Sequence, residues 1–142
     1  MALKTPSATR RKAAQGHPRA IPNRECFRVN LRDALCCHAC GRRPSARETY
    51  HKGFEYHHVT PVRQGGAGAA ENIALLCKAC HRLADTGALN LNTDALRVPD
   101  AVPCRACGAD FDPRTVEMNC AWYECPNCAE RTHLYDHFKN QG

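Results

Sequence analysis

Between residues 54 and 85 the chain gathers side chains suited to metal and proton chemistry: His57 and His58 side by side, then Cys77, Cys80 and His81. A histidine offers a lone pair to a divalent cation. With a pKa near neutrality it also accepts a proton from water at physiological pH. Cysteines spaced Cys-x2-Cys read as zinc ligands in a reducing setting, where disulfides do not persist. Four such pairs run along the chain: Cys37/Cys40, Cys77/Cys80, Cys104/Cys107 and Cys125/Cys128. The first two pairs together make a closed tetrahedral thiolate set with no open position, which suits a structural role. Cys36 competes with Cys37, but its spacing to Cys40 is one residue longer. The last two pairs lie seventeen residues apart, which is the spacing of a zinc ribbon.

These groups need elements to position them. An apolar, aromatic run from Phe54 reads as a short strand ending in the histidine pair. A loop with Gly65, Gly66 and Gly68 follows, then a second strand from Ile73 to Leu76. Cys77 opens a helix, which Gly87 ends as its C-terminal cap. Adjacent strand residues point to opposite faces, so His57 and His58 take different roles. The order strand, loop, strand, helix sets the pair opposite His81, a geometry for holding a metal ion beside a free base. Upstream, Phe27, Leu31 and Leu35 recur at helical spacing, while Phe27, Val29 and Leu31 also alternate as in a strand. Both readings stay open.

The stretch from about Cys37 to about Asp85 resembles the HNH (ββα-metal) nucleases. Besides His57, His58, Asn72 and His81, it matches Pro61 after the pair, Gly65-Gly66 in the loop, Asn72-Ile73 entering the second strand, and Cys77-x2-Cys80-His81 opening the helix. The resemblance implies a small, metal-stapled α+β fold: a ββα-metal core with a structural four-cysteine zinc site, plus a small β zinc ribbon. It implies that His57 and His81 ligate a catalytic Mg²⁺ or Mn²⁺, that His58 is the general base, and that Asn72 braces the loop. Two histidines also suit Ni²⁺, Co²⁺ or Zn²⁺. Asn72 alone also reads as an ordinary turn residue. Arg63, Lys78 and Arg82 stand where they could contact phosphates, and equally read as a solvated basic face.

Composition frames the rest. At 142 residues, with 43% hydrophobic content that counts eleven cysteines and only 6% aromatics, a large core is doubtful. Metal staples are the expected substitute. No apolar run approaches a membrane span, and the first residues lack a secretory signal's apolar region, so an intracellular, cytoplasmic setting is expected, nucleoid-associated in a bacterial or phage context. Residues 1–24 hold six basic residues and no acidic ones, among them Arg10, Arg11 and Lys12. With their prolines they read as a disordered basic arm attracted to nucleic-acid phosphate. Residues 25–95 read as the nuclease domain and 96–142 as a ribbon-like module, with the boundary in the Asn90–Pro103 linker.

From residue 88 onward five basic residues face eight acidic ones, so the ribbon is a poor phosphate clamp and suits protein contact or self-association. There Trp122 and Tyr123 read either as base-stacking groups or as the ribbon's core. His133 and His137 follow Cys128 too closely for a C2H2 finger and read as non-ligands. DNA is the expected partner, with two structural zinc ions. The alternative is a non-catalytic, zinc-dependent DNA-binding or adaptor protein.

Overall fold

The computed structural model describes residues 21–44 and 53–139. The first helix, α1 (Asn23–Asp33), carries Glu25 in its first turn and Arg32 in its last, each the favourable sign for its end of the helix dipole. It stops where Ala34 and Leu35 take positive φ values of 54° and 59°. Phe27, Val29, Asn30 and Leu31 are buried along it. Of the two patterns legible there, the helical one is the one the chain adopts.

Strands β1 (Phe54–His58) and β2 (Ile73–Cys77) form an antiparallel pair, with Phe54 opposite Cys77 and His58 opposite Ile73. All five residues of β2 are buried. Its unbroken apolar run follows from packing by both α1 and the next helix. The loop between the strands closes tightly at Gly66, whose N–H reaches Pro61 O at 3.0 Å. A Cβ at Gly66 would collide with the Thr60 carbonyl oxygen, so only glycine fits. Helix α2 (Lys78–Asp85) starts directly from Cys77, and Gly87 at φ 81° ends it with its N–H on Ala84 O. This is a ββα arrangement in a small α+β protein.

Beyond it, β3 (Val102–Pro103) and β4 (Asp110–Phe111) frame the Cys104/Cys107 turn. Strands β5 (Glu117–Met118), β6 (Trp122–Glu124) and β7 (Arg131–His133) form an antiparallel sheet in that order, followed by helix α3 (Leu134–Phe138). Tyr123 is fully buried, with Phe111 at 4.5 Å and Phe27 of α1 at 6.2 Å between ring centroids. Its hydroxyl accepts from Arg105 N–H at 3.0 Å and shares a hydrogen bond of 2.8 Å with His137 Nδ1. Burial, then the nearby Arg105 charge, lowers the His137 pKa, which favours the neutral ring. His133 caps α3 instead, accepting from Tyr135 N–H. Trp122 is half-buried under the Arg131 guanidinium, 4.0 Å from its ring centroid.

One buried cluster runs from α1 through β2 into the ribbon. Asn30, fully buried, ties the parts together: its Nδ2 donates to Cys120 O at 2.8 Å, and its Oδ1 accepts from the Tyr56 hydroxyl at 2.9 Å. Arg24 adds a bond to Val116 O at 2.6 Å. Replacing Asn30 with Ala removes two hydrogen bonds, each worth about 1 kcal/mol, and leaves a gap at a fully buried position. The Asn30→Ala protein should therefore lose on the order of 2–4 kcal/mol in a denaturation curve, unlike a surface substitution such as Glu130→Ala.

Candidate functional site

Three of the Cys-x2-Cys turns are stereochemically alike. In the first, Cys37 Sγ accepts from Cys40 N–H, Cys37 O accepts from Gly41 N–H at 2.9 Å, and Gly41 has φ 77°. At the second module Cys104 Sγ accepts instead from Ala106 N–H, two residues on, at 3.3 Å, while Cys104 O again accepts from the glycine, Gly108 N–H, at 2.8 Å, with φ 80° at the glycine. The Cys125 turn follows the Cys104 pattern, with Asn127 N–H on Cys125 Sγ and Ala129 N–H on Cys125 O, except that Ala129 takes φ 62° without being glycine. Backbone N–H groups thus aim at the sulfurs, as a thiolate requires.

The thiols converge as two sets of four, Cys37/Cys40/Cys77/Cys80 and Cys104/Cys107/Cys125/Cys128, each with its sulfurs within 4.8 Å of one another. Sulfur pairs stand at 3.8 Å for Cys40–Cys77, 3.8 Å for Cys104–Cys128 and 3.7 Å for Cys107–Cys125. A tetrahedron with zinc–sulfur bonds of about 2.3 Å has edges of about 3.8 Å, so both sets fit a structural zinc ion.

The electrostatics agree. Burial alone would push the Cys37 thiol up, but the N–H groups of Cys40, Cys77 and Ala39 outweigh it and hold the pKa at about 7. The Asn127 side chain and Ala109 N–H lower Cys107 to about 6. Burial and the facing thiols push Cys80 up, while Cys128, despite the Glu130 N–H, is pushed up to about 12 by burial and its neighbours. Facing thiolates repel, and a central dication removes that repulsion. Cys36 and Cys26 stand apart. Burial raises both, Cys26 to about 11, so they are protonated thiols at neutral pH.

A third group is built differently. His57 comes from β1, and His81 and Asp85 stand one turn apart on α2. Their donor atoms lie within 4.8 Å of one another. The two imidazole rings are 5.1 Å apart, Asp85 Oδ1 is 3.8 Å from His57 Nδ1 and 3.7 Å from His81 Nε2, and Glu55 Oε2 lies 3.5 Å from His81 Nδ1. Burial, then the His81 charge, lowers the His57 pKa against the pull of Asp85, so His57 keeps its lone pair. Two nitrogens and a carboxylate oxygen are a fitting donor set for a divalent ion, and three ligands leave positions open. Asp85 was not singled out by the motif. Its signal was the i, i+4 spacing from His81, which puts both on one helix face.

His58 follows His57 at the end of β1, half-buried. Asn72, just before β2, spans the loop. Its Oδ1 accepts from Thr60 N–H at 2.8 Å, and its Nδ2 donates to Thr60 O at 3.0 Å and Ala67 O at 2.8 Å. Its own carbonyl accepts from Val59 N–H at 2.8 Å, one residue after His58. Asn72 therefore makes bonds on both sides of the loop, beyond those of a simple turn residue. Arg63, Lys78 and Arg82 are all exposed and make no ion pair with any described residue. Arg10, Arg11 and Lys12 lie outside the described residues.

The family model described as HNH endonuclease matches residues 37–86. That segment is an HNH endonuclease domain. No curated protein and no solved structure matches the chain. The HNH domain so delimited begins at the first thiolate, Cys37, and ends just past Asp85. It holds one complete four-cysteine set and the whole His57/His81/Asp85 group. The second four-cysteine set lies outside it, in a C-terminal module consistent with zinc binding. No described helix is long and apolar enough to cross a membrane.

Two measurements follow from the thiolate sets. Metal analysis of the full chain should return two zinc ions, falling to one in Cys80→Ser and to one in Cys107→Ser. A count that stays at two in either variant removes that cluster as a zinc site. Ala129→Gly, which relieves the left-handed strain of a residue with a Cβ, should stabilise the ribbon by about 0.5–1 kcal/mol in thermal unfolding of the zinc-loaded protein.

Proposed function

We propose that the chain is a metal-dependent HNH endonuclease that hydrolyses phosphodiester bonds in DNA. The observation that carries this reading is the convergence of His57, His81 and Asp85, with His58 next along β1 and Asn72 fastening the loop behind it. A divalent ion of the Mg²⁺ or Mn²⁺ class, held by His57, His81 and Asp85, would supply Lewis-acid stabilisation of the phosphoryl group and of the departing 3′-oxygen. Ni²⁺, Co²⁺ or Zn²⁺ suit the same donors.

His58 is the general base. It takes a proton from water as the water oxygen forms its bond to phosphorus and the bond to the 3′-oxygen breaks, leaving a 5′-phosphate. Asn72 contributes by holding Thr60 and Ala67, so that the chain leaving His58 keeps one course. Arg63, Lys78 and Arg82 offer exposed charge to the DNA backbone. The basic segment ahead of α1, with Arg10, Arg11 and Lys12, adds attraction that carries no sequence preference and weakens with salt. Arg24, counted with it from sequence, belongs instead to α1 and bonds Val116 O.

In this reading residues 25–95 form the nuclease domain and 96–142 the ribbon-like module. The ribbon's net negative charge directs it away from phosphate and towards protein contact, self-association or support of the nuclease. Its zinc, like that of the first thiolate set, has a full complement of sulfur ligands and is structural.

Incubation of supercoiled plasmid with Mg²⁺ or Mn²⁺ tests the reading. The wild type should nick or linearise it, and His58→Ala should slow cleavage by roughly 10²-fold or more with zinc content and fold retained. Asp85→Ala should raise the Mn²⁺ concentration needed for half-maximal cleavage by on the order of tenfold or more. Equal cleavage by wild type and His58→Ala would remove His58 from the mechanism. Absence of cleavage by the fully metallated wild type, on DNA and on RNA alike, would favour a binding or adaptor role.

A further inference from the structure

Helix α1 lies wholly before the matched HNH segment, yet its side chains grip the turn on which Asn72 is mounted. Three of its residues, Glu25, Arg28 and Arg32, fall at helical spacing on one side, and all three reach the short turn Ala70–Asn72 or its edges. Glu25 Oε1 accepts from Ala70 N–H at 2.8 Å. Arg28 Nη1 donates to Glu25 Oε1 at 2.7 Å, and Arg28 also pairs with Glu71.

Arg32 is nearly sealed from solvent and spends its guanidinium on main-chain carbonyls. Nη1 donates to Ala70 O at 2.7 Å and to Leu96 O at 2.9 Å, and Nη2 to Ile73 O at 2.5 Å. Asp33 neutralises that buried charge with bonds of 2.8 Å to Arg32 Nε and Nη2. The same carboxylate accepts from Leu75 N–H at 3.1 Å and bonds His38 Nδ1 at 2.8 Å, between the ligands Cys37 and Cys40.

Asn72 sits in the middle of this grip: Ala70 and Glu71 are held before it and Ile73 after it. Its own side chain then fixes Thr60 and Ala67 across the loop. We propose that Arg32 and Glu25 are positioning residues for the nuclease reaction, clamping the turn Ala70–Ile73 so that Asn72 can hold the loop that leaves His58. This rests on the reading of His58 and Asn72 given above and extends the working parts of the site to a helix outside the matched domain. A long, preorganised fork that satisfies three carbonyls at once has no equivalent in lysine, whose ammonium is a single point donor. Arg32→Lys should therefore keep the charge and lose the clamp.

The test uses the full chain with both thiolate sites loaded with zinc, and supercoiled plasmid with saturating Mn²⁺. Arg32→Lys and Glu25→Ala should each lower kcat on the order of tenfold or more with KM within about threefold, since a misplaced catalytic group loses rate more than binding. Glu25→Gln, whose amide oxygen still accepts from Ala70 N–H but carries no charge, should stay near wild type. In an Asn72→Ala background neither Arg32→Lys nor Glu25→Ala should lower kcat by more than about twofold further, because residues acting through one another are not additive.

Amide hydrogen exchange without substrate supplies a second readout. Exchange across residues 60–73 should quicken in both variants and stay unchanged in Glu25→Gln. Additive losses with Asn72→Ala, unchanged exchange across the loop, or quickened exchange with an unchanged kcat would each overturn the proposal. If Arg32→Lys does not fold, the Glu25→Ala and Glu25→Gln pair decides alone. Full cleavage by both His58→Ala and Asn72→Ala would instead bring down the underlying reading, and the exchange data would still say whether the clamp exists.

Discussion

The corner at Cys77 is the constraint on which the rest of the structure depends. Cys77 is at once the last residue of β2, the residue from which α2 starts, and one of four converging thiolates. Its strand register sets it opposite Phe54, the first residue of β1, so the path from β1 to His57 and His81 is measured from this point. His81 follows Cys80 directly, and His57 stands three residues beyond Phe54. The convergence of Cys77 and Cys80 with Cys37 and Cys40 sets the angle between α2 and the strands, and a zinc ion held by the four would lock it. That angle brings His81 and Asp85 over His57. An eight-residue helix is too short to hold such an orientation by its own propensity. Metal coordination by the four thiolates would do so in a chain with few aromatic residues.

Much of the site was legible because its residues are close in sequence and their types are restrictive. The thiolate pairing, including Cys37 over Cys36, follows from ligand spacing. The ββα order follows from an apolar run, a glycine loop and a second apolar run, and Gly66 shows the physical reason, since no other residue fits against Thr60. What could not be read were bonds between side chains and distant backbone. Arg32 reaches Ala70, Ile73 and Leu96, and no local pattern records such a choice of carbonyls. Asn30 in a helical stretch looked unremarkable, although it is sealed between Tyr56 and Cys120. Helix and strand competed over residues 27–31 because both periods fit so short a run. Burial of consecutive positions 29, 30 and 31 is what the pattern alone did not contain.

Four aromatic residues gather where α1 meets the C-terminal four-cysteine module. Phe27 from α1, Phe111 and Tyr123 from the ribbon, and His137 and Phe138 from the last helix form one connected set of ring contacts. Tyr123 was open to two sequence readings, base stacking or core. Its complete burial and its bonds to Arg105 N–H and His137 assign it to the core, and these bonds also tie the second zinc turn to α3. The ribbon is thus joined to α1, and through Asn30 to the strand bearing His57.

The three cysteine- or histidine-bearing clusters then divide the labour by ligand chemistry. Four sulfurs around an ion leave no coordination position, and their negative charge makes the ion a weak Lewis acid, so neither thiolate set is suited to activate a phosphodiester. The His57/His81/Asp85 group has fewer ligands, one negative charge and partial exposure, which is what a substrate oxygen needs in order to approach. The exposed cations sit on the same segments: Arg63 in the loop, Lys78 and Arg82 on α2. The acidic excess is confined to the ribbon side. Charge and ligand type thus point to the same part of the molecule, the mouth between β1 and α2, as the place where a polyanion would be met.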